Sequence, residues 1–541
     1  MTLASRKHDM TTLIRLALAA LPMLHIGCSE ISVADAAALI PVDVATSTVH
    51  AGTGETITTV DLTLNPANPD YDRCLALTAT PVLVNGHVVF PVHYRRPTEC
   101  DAGSYPGFRT SLLGYSLSDG RVWALSSSGG AAEATPLFDA ATNRIYWPHG
   151  GGVPVTVLDG ATFDTVGEVR ADGPAAVDSS GTLTPSGYAF GTINVPQAPC
   201  NDATAGTEDY NCGAVFKADA ASLDITHSLR YDSPLTDDPA DGPSRFRNWI
   251  GGSVSSGGNQ LYVGGTAQYG VLADGTVGPV TDEYRYGCSV ILLDEQLRIQ
   301  RSFDPGVPAC NETKVLPGMA TAAESAVAGE PVVVPDGVWV QYTVPNNPAP
   351  DPASNYAEVE VYRLSRDLDL QCTYAVPSTI ARKLVSFYQA PTVDQLGRAY
   401  AVFTTPVDPD HEPGPSYGRL YRFDPPTAAG GCAMTELLSV PEQAQASPTL
   451  VDDRFALVAA TGKLYVFDVQ ANAVHRVFDL AAPAGTPAAV YSAPVVIDGK
   501  IYVLAADGTL TIIEGTGMTG YGGALWPRFR RDNGGSGRAD S

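Results

Sequence analysis

One short phrase recurs along this 541-residue chain, and a phrase that returns at a steady interval restricts the fold to stacked copies of one unit. Its first half is Ala390, Pro391, Thr392, Val393, Asp394 running on to Gly397 and Tyr400. It returns as Ser447, Pro448, Thr449, Leu450, Val451, Asp452 and as Ala493, Pro494, Val495, Val496, Ile497, Asp498, Gly499, Ile501, Tyr502. A distant copy stands at Thr80, Pro81, Val82, Leu83, Val84, Asn85, Gly86, Val88, Phe90. The second half follows each C-terminal copy: Gly418, Leu420, Tyr421, Phe423, Asp424; Gly462, Leu464, Tyr465, Phe467, Asp468; Gly508, Leu510, Ile512, Ile513, Glu514.

Within a unit the apolar residues form runs of four to six, rich in Val, Ile, Tyr and Leu and bounded by Gly, Asp, Asn or Pro, as expected for strands buried on both faces. Four strands per unit make a propeller blade, and blades must stack in a closed ring because none covers its own two faces. The fold class is therefore all-β, a single β-propeller of eight four-stranded blades, with seven as the alternative. The third unit is read from Pro174, Val177 and Asp178, then Tyr188 and Phe190, ending at Val215, Phe216 and Asp219. Asn85-Gly86, Asp498-Gly499 and Asp507-Gly508 carry type I′ hairpin chemistry. Polar insertions at 91–110, 197–213, 231–248, 265–287, 304–330, 343–356 and 405–417 are expected as surface loops, several of them on one face.

Residues 1–40 read as a signal peptide and linker, 41–520 as the propeller and 521–541 as a tail. Arg6, Lys7 and Arg15 precede the apolar run Leu16 to Leu24, too short to span a bilayer. Ile26, Gly27 and Cys28 resemble the end of a bacterial lipoprotein signal, making Cys28 a lipidation site, although His25 stands where Leu is usual. Cleavage after Ala34 and Ala36, or an uncleaved anchor, is the alternative. Beyond Cys28 the cysteines number eight: Cys74, Cys100, Cys200, Cys212, Cys288, Cys310, Cys372 and Cys432. Neighbouring pairs are expected as disulfides in an exported protein, with free buried thiols as the other reading. None has zinc-knuckle spacing. A formal charge of −25 opposes phosphate backbones and anionic head groups, so nucleic acid is excluded as a partner and membrane contact is expected only through a lipid anchor.

These phrases resemble the PQQ-like, quinoprotein-type β-propeller repeat of exported bacterial proteins, best over 386–516 and less closely over 78–160. Trp526, Pro527, Phe529, Arg530, Asp532, Ser536 and Gly537 resemble a Trp-Pro-x-Phe-Arg-x-Asp segment of that group and are expected to pack against a blade. Members that are dehydrogenases stack pyrroloquinoline quinone on a Trp floor, often under a disulfide of adjacent cysteines, and hold calcium. This chain has no adjacent cysteines, and only Gly120 with Trp123 approaches the docking phrase of those enzymes, leaving Trp147, Trp249, Trp339 and Trp526 outside it. The resemblance therefore implies the non-enzymatic branch, with no catalytic, cofactor-binding or metal residues assigned. Pyrroloquinoline quinone with calcium is the alternative cofactor set.

No nucleophile elbow, phosphate loop, dinucleotide fingerprint or His-Glu-x-x-His motif occurs. The glycines at 251, 252, 257 and 258 read as turns. His87 and His93, six apart, are too distant for one metal. Asp237, Asp238, Asp241 and Asp408, Asp410, Glu412 read as solvated acids rather than calcium ligands, and Asn311, Glu312, Thr313 as a chance glycosylation match. The expected function is a monomeric, non-catalytic binding or scaffold protein of the periplasm or cell surface, an outer-membrane lipoprotein that recognises a protein or glycan. The alternative is an enzyme with its site on the ring axis.

Overall fold

The apolar runs form strands throughout, with no helix among the described residues of the computed structural model. It describes residues 39–539 apart from 43, 52–53, 63–73, 77–78, 96–108, 128–133, 150–152, 172–179, 193–213, 231–246, 250–253, 265, 269–289, 304–323, 347–355, 377–388, 406–416, 428–430, 481–486 and 533–534. The strands make eight sheets, each a four-stranded antiparallel blade with additions in some. The inner strands are Val82–Val84, Leu137–Asp139, Thr182–Thr184, Ser255–Gly257, Glu324–Val334, Thr392–Val393, Thr449–Val451 and Val495–Ile497, numbered here as blades 1 to 8. The third inner strand lies later than expected: Thr182–Thr184 occupies the place assigned to Pro174, Val177 and Asp178, which fall outside the described residues.

Apolar clusters lie between neighbouring blades. Val89, Leu112, Ile145 and Leu158 fill the seam of blades 1 and 2, and Tyr146, Val157, Phe190 and Phe216 that of blades 2 and 3. The ring closes because Val88, Phe90 and Leu113 of blade 1 meet Val495, Tyr502 and Ile512 of blade 8. Blade 8 takes its three inner strands from the C-terminal repeat and its outer strand, Thr56–Asp61, from the N-terminal region, with Thr58 opposite Ile512. Ala45–His50 adds a fifth strand, while Ile40–Val42 pairs with the outer strand of blade 1. The chain thus overlaps its own beginning, and the seam that would otherwise be an open edge is hydrogen-bonded.

The recurring residues have identifiable work. Where a Ser or Thr stands two residues before an inner strand, its hydroxyl bonds to the neighbouring blade: Ala493 N–H donates to Thr80 Oγ1 at 3.2 Å, Thr80 N–H to Thr135 Oγ1 at 3.1 Å, Thr135 N–H to Ser180 Oγ at 2.8 Å and Ala390 N–H to Ser447 Oγ at 2.8 Å. These bonds form a rim where the inner strands begin. The Asp that ends the second half-phrase caps the next turn: Asp468 Oδ1 accepts from Gln470 and Ala471 N–H, Asp219 from Ala221 and Ser222, and Asp159 from Ala161 and Thr162. Ser447→Ala should leave the buried Ala390 N–H without its acceptor and cost about 1–3 kcal/mol in urea denaturation.

Asn85-Gly86 and Asp498-Gly499 have positive φ at both residues, as type I′ turns require. Asp507-Gly508 differs, with only Gly508 at positive φ and its N–H bonded to the Ala505 carbonyl. Successive strands run in alternate directions, so connections from second to third strands, and from one blade to the next, leave at the same end as the rim. The insertions expected as loops belong to these connections, and parts of several are strands. Glu324–Val334 and Gly337–Asn346 run past the rim of blade 5, where Thr266–Gln268 and Arg247–Trp249 add two further strands. Cys74–Ala76 similarly pairs with the far end of His87–Arg95 in blade 1.

Candidate functional site

Inner strands line the axis of a propeller, the usual location of a ligand pocket. Here the axis holds the chain's own C-terminal segment. Asp452, in the hairpin turn of blade 7, accepts from the N–H groups of Thr519 at 3.0 Å and Gly520 at 3.1 Å, while Asp453 accepts from Gly523 N–H at 2.8 Å. Tyr521 Oη accepts from Val496 N–H of blade 8. Trp526 and Val393 of blade 6 exchange backbone bonds at 2.9 and 2.7 Å, and Leu450 N–H of blade 7 donates to the Pro527 carbonyl at 2.7 Å.

The segment thereby runs from the hairpin end toward the rim. There Arg528 donates to the Pro81 carbonyl of blade 1 at 2.7 Å, and Arg530 donates to the carbonyls of Val254 in blade 4 at 3.0 Å and Gly181 beside blade 3. It then turns back: Asp532 Oδ1 accepts from Ser536 N–H, Thr182 Oγ1 donates to the Gly537 carbonyl, and Arg538–Ala539 pairs in parallel with Ser256–Gly257. Gly535 completes the circuit, since a Cβ there would meet the Pro136 carbonyl of blade 2 at 2.7 Å.

Glu330 of blade 5 is the electrostatic anchor. It occupies the position before Pro331 where Thr80, Thr135 and Ser447 stand in their blades, so a carboxylate replaces a rim hydroxyl. Fully buried, it accepts from Trp526 Nε1 at 3.3 Å, from Arg530 N–H at 2.7 Å and from the Arg530 guanidinium, and Ser255 Oγ donates to it at 3.4 Å. Trp526, Arg528 and Arg530 are also fully buried. A buried charge must be paired and hydrogen-bonded to be tolerated, and this pair is.

Trp526 to Arg530 fill the axis at this level, and the axial carboxylate Glu330 is committed to Arg530. Trp123, Trp147 and Trp339 lie in clusters between blades rather than over the axis. His87 accepts from Trp123 Nε1 through Nδ1 at 3.2 Å, and burial lowers its pKa against the opposing pull of Asp119. It is a packed strand residue, and no cluster of metal-ligating side chains occurs among the described residues.

Cys372 and Cys432 are bridged and tie the outer strands of blades 5 and 6. Cys74 lies on Cys74–Ala76, whose side chains are not described, as is true of His93. Cys28, Cys100, Cys200, Cys212, Cys288 and Cys310 lie outside the described residues, as do Asp237, Asp238, Asp241, Asp408, Asp410, Glu412 and Asn311. Gly257 ends an inner strand and Gly258 turns with positive φ.

What the sequence reading missed was Glu330, whose signal was an acid at a position otherwise held by Ser, Thr or Ala. The long insertions belong to blades 1 and 3 to 6 and to the connections on either side of blade 4, whereas blades 2, 7 and 8 turn at the rim within a few residues. The rim face is therefore asymmetric, and strands run past it in blade 1 and, with two added strands, in blade 5.

No protein-family model matches the chain, and no curated protein does. Among solved structures, BamB from Moraxella catarrhalis is similar at 12% identity and TM-score 0.39, covering 76% of this chain and 93% of that one. Quinohemoprotein alcohol dehydrogenase from Comamonas testosteroni is similar at 12% identity and TM-score 0.43, covering 84% and 80%. The Cps50 (Swd1) β-propeller domain of Myceliophteria thermophila is similar at 10% identity and TM-score 0.37, covering 72% and 97%. Likenesses this distant bear on neither family nor function.

Proposed function

We propose that this chain is an exported, non-catalytic β-propeller, lipid-anchored through Cys28 at the bacterial cell envelope, which binds a protein or glycan with the rim face over blades 3 to 6. The observation that carries this reading is the filled axis: Trp526, Arg528 and Arg530 occupy the place where a propeller enzyme would admit substrate, with Trp526 and Arg530 held by Glu330 and Arg528 by the Pro81 carbonyl. Recognition is then left to the face where the insertions and the extended strands gather. Three disulfides among Cys74, Cys100, Cys200, Cys212, Cys288 and Cys310 belong to the same proposal, as does a monomeric state.

Soluble protein made without the leader is expected to bind isolated bacterial envelopes saturably. A variant with 347–355 and 406–416 replaced by short Gly-Ser links should melt at the parent temperature and lose that binding. Unchanged binding by the variant would contradict the assignment to this face. Supplying pyrroloquinoline quinone with calcium should produce no substrate-dependent dye reduction, and reduction would restore the enzyme reading. Mass spectrometry of the mature N-terminus should find a diacylglyceryl Cys28, whereas a chain beginning at Ala37 rejects the anchor.

A further inference from the structure

We propose that the axial channel is a peptide-recognition site in its own right, specific for a Trp-Pro-x-Phe-Arg sequence closed by a glycine return, and that its resident ligand is the chain's own segment from Met518 onward. This inference stands on the channel geometry and is independent of what the rim face binds.

Four features are those of a ligand in a receptor rather than of a further blade. The segment contributes no strand to blades 6, 7 or 8, where its backbone bonds are single bridges and isolated donors, and its one strand is the two-residue parallel addition Arg538–Ala539 to blade 4. Its side chains are held by groups from several blades: Trp526 Nε1 and the Arg530 guanidinium by Glu330 of blade 5, Arg528 by the Pro81 carbonyl of blade 1, and Arg530 also by the carbonyls of Val254 in blade 4 and Gly181 beside blade 3. Planar guanidinium groups suit such divided recognition because their donors point in fixed, separate directions.

The backbone is also held away from its relaxed state. Arg530 and Arg531 have φ of 63° and 71°, which non-glycine residues adopt when surrounding contacts dictate it. Gly537, at positive φ, closes over the Arg530 guanidinium so tightly that a Cβ would lie 2.0 Å from Nη2. The ligand therefore needs arginine and glycine together, seven positions apart. Finally, the receptor side is incomplete without it: the rim hydroxyl bonds link blades 8, 1, 2 and 3 and blades 6 and 7, while at blade 5 the rim position is Glu330, whose partners come chiefly from the segment.

The test uses the full chain with a site-specific protease sequence inserted at exposed Gly517, ahead of buried Met518. After folding and cleavage, the fragment is expected to co-elute with the ring in gel filtration. It should be displaced slowly by a fluorescent synthetic peptide of residues 518–541. Peptides with Arg530→Ala or Gly537→Ala should compete at least tenfold less well. Separation of the cut fragment on the first column would overturn the proposal, as would equal competition by the substituted peptides. The variants reside in the peptides alone, so a folding defect of the ring cannot produce either result.

Discussion

Glu330→Ala should lower the free energy of unfolding by about 3–5 kcal/mol, the cost of stranding a buried charge after its partner is removed. Glu330 is fully buried and receives donors from Trp526, from the Arg530 backbone and from the Arg530 guanidinium. Its loss leaves Arg530 charged in an apolar surround, with only the Val254 and Gly181 carbonyls for company. Replacing both ends, as in Glu330→Leu with Arg530→Met, should recover part of the loss because neither variant side chain carries a charge to desolvate, while Trp526 Nε1 and the backbone N–H at 530 still lose their acceptor. Urea denaturation of the parent, Glu330→Leu, Arg530→Met and the double variant gives the coupling directly. A loss below about 1 kcal/mol in Glu330→Ala would place the pair among solvated surface ion pairs and contradict its burial.

Deleting residues 45–61 should do greater damage, because it removes the outer strand of the last blade and its supporting fifth strand. Thr509–Glu514 would then present an unpaired edge along its whole length. The seam of blades 8 and 1 would also lose Val60. An exposed apolar edge of that kind recruits other chains, so the expected product is an oligomer or aggregate by sedimentation. Val60→Ala is the milder companion and should remain monomeric with a loss of about 0.5–3 kcal/mol. A deleted chain that sediments as a monomer and melts with the parent would show that the overlap does not close the ring.

Much of the fold was legible because one blade's physical needs recur in every blade. The Pro-led phrase marks inner strands, its preceding Ser or Thr marks the rim bond, and the Asp after Phe423 or Phe467 stands at the turn into the outer strand. Eight units could be counted for that reason. The overlap of Ala45–His50 and Thr56–Asp61 with the last blade was not legible, since both strands lie far from that blade in sequence and carry no phrase. The third inner strand was misplaced because Thr182–Thr184 lacks the leading proline. Residues 324–330 were read as insertion although they extend a strand, their partners Thr266–Gln268 coming from another insertion. The tail motif was visible, but its destination depended on one acid some two hundred residues upstream, a pairing that no local pattern encodes.

Hydrogen exchange of the Trp526 and Arg530 amides is the most direct test of the filled axis. Trp526 N–H is bonded to the Val393 carbonyl and Arg530 N–H to Glu330, both in the buried interior. The account predicts protection comparable to that of Lys463–Asp468, the third strand of blade 7. Exchange of both amides at the rate of a free peptide would mean that the tail lies outside the ring and the axis is open.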